Sequence, residues 1–159
     1  MNINHILILI DKSFSMIKYK NEVLYSFEKF IKENDEKYRE KKIPVTVILF
    51  NDNIKTYKYN SISDVQLFDE NTYSPYGNTC LYDMLYKILN VYSHENNNLC
   101  LIITDGYNNN NNVTTKKKIC NKLDHLSDTN KWIFKFYGSL PNNFKNNNNV
   151  YKDLTHKFK

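Results

Sequence analysis

The chain has 159 residues with 41% hydrophobic content, enough for one domain that buries a substantial core without staples. No apolar run approaches the roughly 18 residues of a membrane span, which sets aside a membrane protein. Cys80, Cys100 and Cys120 form neither CxxC spacing nor a disulfide framework, favouring a reducing, intracellular and non-secreted setting, and the net charge of +5 raises the question of a polyanionic partner.

Ile3 to Ile10 is short and nearly all apolar, the signature of a strand covered on both faces. Acidic Asp11 follows at once, with no basic start and no small-residue cleavage site, so the run reads as a first strand and not as a signal peptide. From Met16 to about Tyr38, the residues Val23, Leu24, Phe27, Phe30 and Ile31 fall at helical spacing with charges between them. Pro44 marks the exit, and β-branched-rich Val45 to Phe50 is again strand-like. Asn51-Asp52-Asn53 is a turn cluster, after which the more polar Ile54 to Tyr59 reads as an edge hairpin partner.

Ser61 to Asp69 is expected to hold a short helical turn. Thr79 to Tyr92 is a second amphipathic helix, with Leu81, Met84, Leu85, Ile88 and Leu89 on one side. Leu99 to Thr104 is another buried strand. Val113 to Leu126 supplies a third helix through Ile119, Leu123 and Leu126, with Lys116, Lys117 and Lys118 facing water, and Trp132 to Tyr137 closes the series as a strand. The tracts Asn108 to Asn112 and Asn146 to Asn149 read as loop filler, and the tail from Asn146 to Lys159 reads as either a short strand or a helix. There is no internal repeat and no domain boundary, so residues 1–159 are taken as a single domain.

Strands alternating with helices imply an α/β fold with a mostly parallel sheet covered on both faces. In such sheets ligands gather beyond the carboxyl ends of the strands, where the strand order reverses. Asp11 and Asp105 each stand at the carboxyl end of a buried strand. If those two strands lie side by side at the reversal, both carboxylates meet at one crevice.

Alternate side chains of an extended segment face the same way, so Asp11, Ser13 and Ser15 are expected on one side and Lys12 and Phe14 on the other. With Thr79 and Asp105 they supply two carboxylates and three hydroxyls and no soft ligand. Oxygen donors of this kind suit magnesium, calcium or manganese more than zinc. Taken singly, Ser13 or Ser15 reads as a cap of the first helix, Thr79 as a cap of the second, and Asp105-Gly106 as a turn. All five in register with the strand ends are harder to explain that way. Of the three glycines in the chain, Gly77 and Gly106 both fall in this set of loops, which points to a backbone requirement there.

Asp11-Lys12-Ser13-Phe14-Ser15, Gly77-Asn78-Thr79-Cys80-Leu81-Tyr82-Asp83, Ile102-Ile103-Thr104-Asp105-Gly106, and the strands Val47-Ile48-Leu49-Phe50-Asn51-Asp52 and Trp132 to Gly138 together resemble a von Willebrand factor type A domain. That family has a metal-ion-dependent adhesion site built from an Asp-x-Ser-x-Ser loop, a distant Thr and a distant Asp. The resemblance covers about Ile3 to Gly138 and lies nearer the intracellular branch than the secreted adhesion proteins. It implies a Rossmann-like three-layer fold, a six-stranded sheet parallel except for one edge strand, with helices on both faces. It also implies that Ser13, Ser15 and Thr79 bind a cation directly, Asp11 and Asp105 directly or through water, and that a partner's Asp or Glu completes the coordination. Phe14 stands where glycine is most common, as an aromatic does in integrin β subunits, and the chain is short for the family after Gly138.

Other readings rank lower. A haloacid dehalogenase-type phosphatase wants a second carboxylate two residues after the first, where Ser13 stands, and no glycine-rich phosphate loop follows any strand, so no enzymatic role is assigned. His5, His94, His125 and His156 share no metal-like spacing, and the cysteines read as packing residues. Asp83 suits the first turn of its helix, with a supporting role beside the cation as the alternative. The positive charge is almost all lysine, since Arg39 is the only arginine. Together with the absence of alanine this matches an AT-rich coding bias, of the kind seen in some large DNA viruses and some protists. Lysine-mediated polyanion binding therefore comes third, behind a cation-independent scaffold or virion-associated protein. The leading expectation is an intracellular module, in host cytoplasm or virion if viral, that binds Mg²⁺, Mn²⁺ or Ca²⁺ and through it an acidic protein partner.

Overall fold

The computed structural model describes residues 2–107 and 113–138. Strand β1 (His5–Asp11) leads through a short 3-10 helix (Phe14–Tyr19) into helix α1 (Lys20–Tyr38). Strands β2 (Val45–Phe50) and β3 (Ile54–Tyr59) form a hairpin, followed by a single 3-10 turn (Ile62–Asp64) and helix α2 (Leu81–Tyr92). Strand β4 (Asn98–Thr104), helix α3 (Lys116–Thr129) and strand β5 (Ile133–Gly138) complete the described chain.

The strands form one sheet in the order β3-β2-β1-β4-β5. β1 pairs in parallel with β2 and β4, β4 pairs in parallel with β5, and β3 runs antiparallel to β2 at the edge. The sheet thus has five strands among the described residues, where six were expected. The tail from Asn146 to Lys159, including His156, and the Asn108 to Asn112 tract lie outside the described residues.

Every residue of β1, β2 and β4 is buried, because both faces of those strands are covered. Ile6, Ile8 and Ile10 pack with Val23, Phe27 and Phe30 of α1 on one side. Leu7 and Leu9 pack with Leu85 and Leu89 of α2 and Leu123 of α3 on the other. Two-residue alternation in β1 therefore feeds two separate cores, which makes a three-layer α/β/α sandwich.

Helix boundaries shift where local bonding wins over apolar spacing. The stretch from Met16 is 3-10 until Tyr19, and the α-helix begins only at Lys20. The second helix starts at Leu81, two residues after Thr79. The third starts at Lys116, where Thr115 caps it by accepting the Lys118 backbone N–H at 3.1 Å.

Candidate functional site

β1 ends in Asp11, β4 ends in Thr104, and these strands are neighbours with β2 on the far side of β1. The strand order thus reverses between β1 and β4, leaving a crevice past their carboxyl ends. Of the five expected residues, Ser13, Ser15 and Thr79 line a depression there, and Asp11 and Asp105 stand at the two strand ends. Asp11 is wholly buried. Its Oδ1 accepts hydrogen bonds from the Ser13 backbone N–H at 2.8 Å and from Ser13 Oγ at 2.6 Å, and its Oδ2 accepts one from Thr104 Oγ1 at 2.8 Å. Ser13 Oγ stands 3.3 Å from Ser15 Oγ. Thr79 joins these serines in lining a depression of about 180 Å³ whose walls include Phe14, Gly77 and Tyr107. Asp105 follows β4 directly. Its charge acts on Asp11, and its Oδ1 accepts the Tyr107 backbone N–H at 2.9 Å.

Capping does not account for the hydroxyls. Ser13 occupies the position before the 3-10 helix, yet its side chain makes no capping bond. Thr79 lies outside α2, whose cap position is Cys80, and its Oγ1 donates to the Asn51 carbonyl at 3.3 Å. The expected separation of Phe14 from the serines fails. The extended backbone ends at Ser13, and the 3-10 turn then breaks the two-residue alternation, so Phe14 lines the same depression as Ser13 and Ser15. Lys12 does not line the depression, and its Nζ lies 5.2 Å from the centre of the Tyr76 ring.

The loops are stitched to one another. The Phe14 backbone N–H donates to the Gly77 carbonyl at 2.8 Å and the Tyr76 N–H to the Lys12 carbonyl at 2.8 Å. The buried Tyr73 hydroxyl donates to the Asp11 carbonyl at 2.6 Å, and Asn51 Nδ2 donates to the Tyr76 carbonyl at 2.9 Å. Tyr73, Asn51 and Thr104 were not singled out in the sequence. Thr104 sits inside the Thr-Asp-Gly motif and Asn51 directly follows β2, but Tyr73, one of 13 tyrosines, carries no local signal. Asp83 has partners in the segment before α3. It accepts the backbone N–H groups of Val113 and Thr114, holding the segment that leads into α3.

Gly77 and Gly106 have φ of +75° and +77°, where a Cβ is strained. At Gly77 a Cβ would also come within 3.3 Å of Asn51 Nδ2, the group that anchors the Tyr76 carbonyl. Gly77→Ala is accordingly expected to cost about 1–2 kcal/mol, read as a lower urea midpoint at unchanged slope.

Burial raises the Asp11 carboxyl to about 6, against the hydrogen bonds from Ser13 and Thr104 that lower it, and the Asp105 charge raises it further. Among the described residues no ion pair reaches Asp11 or Asp105. Three hydroxyls therefore line one depression and two carboxylates stand at the adjoining strand ends, with no ion pair to either among the described residues. That donor set fits a hard divalent cation such as Mg²⁺, Mn²⁺ or Ca²⁺. Because most of the donors are hydroxyls, no group of three His, Cys, Asp or Glu forms among the described residues. His5 is used at the opposite end of the sheet, where Nε2 meets Thr46 Oγ1 at 2.9 Å and Nδ1 meets Asn98 Oδ1 at 2.8 Å, tying β1 to both neighbours.

The architecture is that of a von Willebrand factor A-like domain, an α/β sandwich with one antiparallel edge strand. Solved structures with a similar fold include manganese-loaded TRAP protein from Plasmodium vivax, with a TM-score of 0.52 and 16% identity over 99% of this chain and 72% of that one. Proximal thread matrix protein 1 from the mussel byssus is similar at a TM-score of 0.52 and 16% identity, over 97% of this chain. The chain spans 38% of the length of that mussel protein. At such identity the likeness is one of fold alone. No protein-family model and no curated protein matches the chain. Among the described residues no helix is long and apolar enough to cross a membrane.

Proposed function

We propose that this domain binds a protein partner through a divalent cation held by Asp11, Ser13, Ser15, Thr79 and Asp105, and that it acts by binding and not by catalysis. One observation carries the reading. A wholly buried carboxylate, near enough to a second to feel its charge, lies at the sheet's switch point beside a depression lined by three hydroxyls, with no ion pair to it among the described residues. Bound there, Mg²⁺ or Mn²⁺ would keep at least one of six coordination positions beyond the five oxygen-bearing side chains, open to an Asp or Glu of the partner. The chain's own residues orient the donors: Thr104 and Ser13 fix the Asp11 carboxylate, and Asn51 fixes Thr79.

The test is a thermal unfolding titration with Mg²⁺ and Mn²⁺ against a chelator, on the wild type and Asp11→Ala. A ligand at ten times its dissociation constant stabilises by about 1.4 kcal/mol, moving the midpoint by a few degrees. That shift is expected in the wild type and not in Asp11→Ala. No wild-type shift up to about ten millimolar cation sinks the proposal.

A second reading has its own support. Asp11 already accepts three hydrogen bonds from Ser13 and Thr104, so the loop is held without an ion, as a cation-independent scaffold requires. The flat titration curve that sinks the first reading favours this one.

A further inference from the structure

We propose that the partner of this site presents its acidic side chain flanked by bulky apolar residues, which seat on a rim formed by Phe14, Tyr76 and Tyr107. The proposal rests on the cation-dependent reading above and adds what surrounds the carboxylate.

The rim consists of rings left in solvent beside the crevice. Phe14 is 67% exposed, Tyr107 63% and Tyr76 56%. Phe14 and Tyr107 line the depression itself, and Tyr76 immediately precedes its Gly77 wall. Large aromatic side chains gathered at one concavity are the composition of a binding patch and not of a solvated surface.

The backbones carrying these rings are held. The N–H of Phe14 is bonded to Gly77, that of Tyr76 to Lys12, and that of Tyr107 to Asp105. Ring contacts made from a fixed backbone lose little conformational entropy on binding, which suits anchor residues.

Size and charge decide the occupant. A depression of about 180 Å³ falls below the range of roughly 300–1,000 Å³ typical of small-molecule and cofactor pockets. It accommodates one projecting side chain, with the neighbours of that side chain left to rest on the rim. Lys12 lies over the Tyr76 ring and Lys55 is close enough to Tyr76 to interact electrostatically, whereas Asp52 lies beside Gly77. An acidic residue of the partner segment beside Tyr76 can pair with Lys12. The chemistry defined is an extended acidic segment with an aromatic or branched aliphatic residue next to the coordinating Asp or Glu.

Short synthetic peptides with a fixed central Asp or Glu and randomised flanks, selected on the wild-type protein in Mn²⁺, provide the probe. Enrichment of Phe, Tyr, Trp, Leu or Ile beside the acid is expected. For the best peptide, Phe14→Ser and Tyr107→Ser should each weaken binding at least about fivefold by fluorescence anisotropy. Both variants should keep the wild-type Mn²⁺ stabilisation, whereas Asp11→Ala loses both readouts.

Polar flanks, no enrichment at all, or unchanged affinity in both rim variants overturns the rim while leaving the Mn²⁺ shift, and so the cation reading, intact. Apolar-flanked peptides that bind equally well in chelator, or with the central acid changed to its amide, overturn the cation reading and leave the rim. Competition by a thymidine oligonucleotide that is salt-sensitive and chelator-insensitive overturns the peptide proposal, because the same rings and lysines then stack and pair with nucleic acid.

Discussion

Asp11→Asn is expected to stabilise the metal-free protein at pH 7 by up to about 3 kcal/mol, because the wild-type carboxylate pays for its burial with a carboxyl pKa raised to about 6. The folded state holds the Asp11 proton more tightly than the unfolded chain does. The Asp11 contribution to stability in chelator is therefore greatest below about pH 4, falls as the pH rises to about 6, and is flat above that. Asparagine keeps the shape and removes the charge. Its Oδ1 still accepts both Ser13 bonds, and its Nδ2 has the Thr104 hydroxyl oxygen as an acceptor. Urea unfolding in chelator should show the variant ahead of wild type at pH 7 and level with it near pH 4. Added Mn²⁺ should narrow or reverse the gap at pH 7, since only the wild type gains from the ion. A variant less stable than wild type in chelator at pH 7 would show that the hydrogen bonds to the charged form outweigh its desolvation.

Trp132→Ala should cost about 3–5 kcal/mol, the range for removing a fully buried large aromatic side chain. Trp132 packs against Phe134 with ring centres 5.5 Å apart, and its Nε1 donates to the Glu95 carbonyl at 2.9 Å. That carbonyl keeps a second donor, Asn98 Nδ2 at 3.2 Å, so most of the loss comes from the cavity and little from an orphaned acceptor. Far-ultraviolet circular dichroism is the appropriate probe, because the substitution removes the chain's single tryptophan. Trp132 enters β5 at the end of the sheet away from Asp11, about 20 Å along strands of this length. Distant sites act additively, so the increment of stability from Mn²⁺ should match that of the wild type. A changed increment would mean that the second core reaches the crevice.

The alternation of strands and helices, and the reversal between β1 and β4, were legible because both cores are written in short apolar runs such as Ile6 to Ile10 and Leu99 to Ile103. The crevice residues were legible for two reasons. Asp11, Ser13 and Ser15 fall within five consecutive positions, and Asp105 directly follows a strand. What escaped was the frame between residues 65 and 80. That stretch has no apolar period, and long-range bonds to the ends of β1 and β2 fix its shape, so Tyr73 and Asn51 give no sign of their partners locally. Phe14 escaped for the opposite reason. A local rule, strand alternation, was carried one residue past the point where the strand stops.

The stitching of the Tyr73 to Thr79 segment onto the Asp11 to Phe14 loop has a kinetic consequence. Three hydrogen bonds, from Phe14, Tyr76 and Tyr73, with a fourth from Asn51 that ties Tyr76 to the end of β2, fix the spacing between the serine loop and its threonine before anything arrives. The ordering that a flexible pair of loops would undergo at each encounter is completed once, during folding. Association then awaits only diffusion and correct orientation, while differences among partners appear in how long they stay.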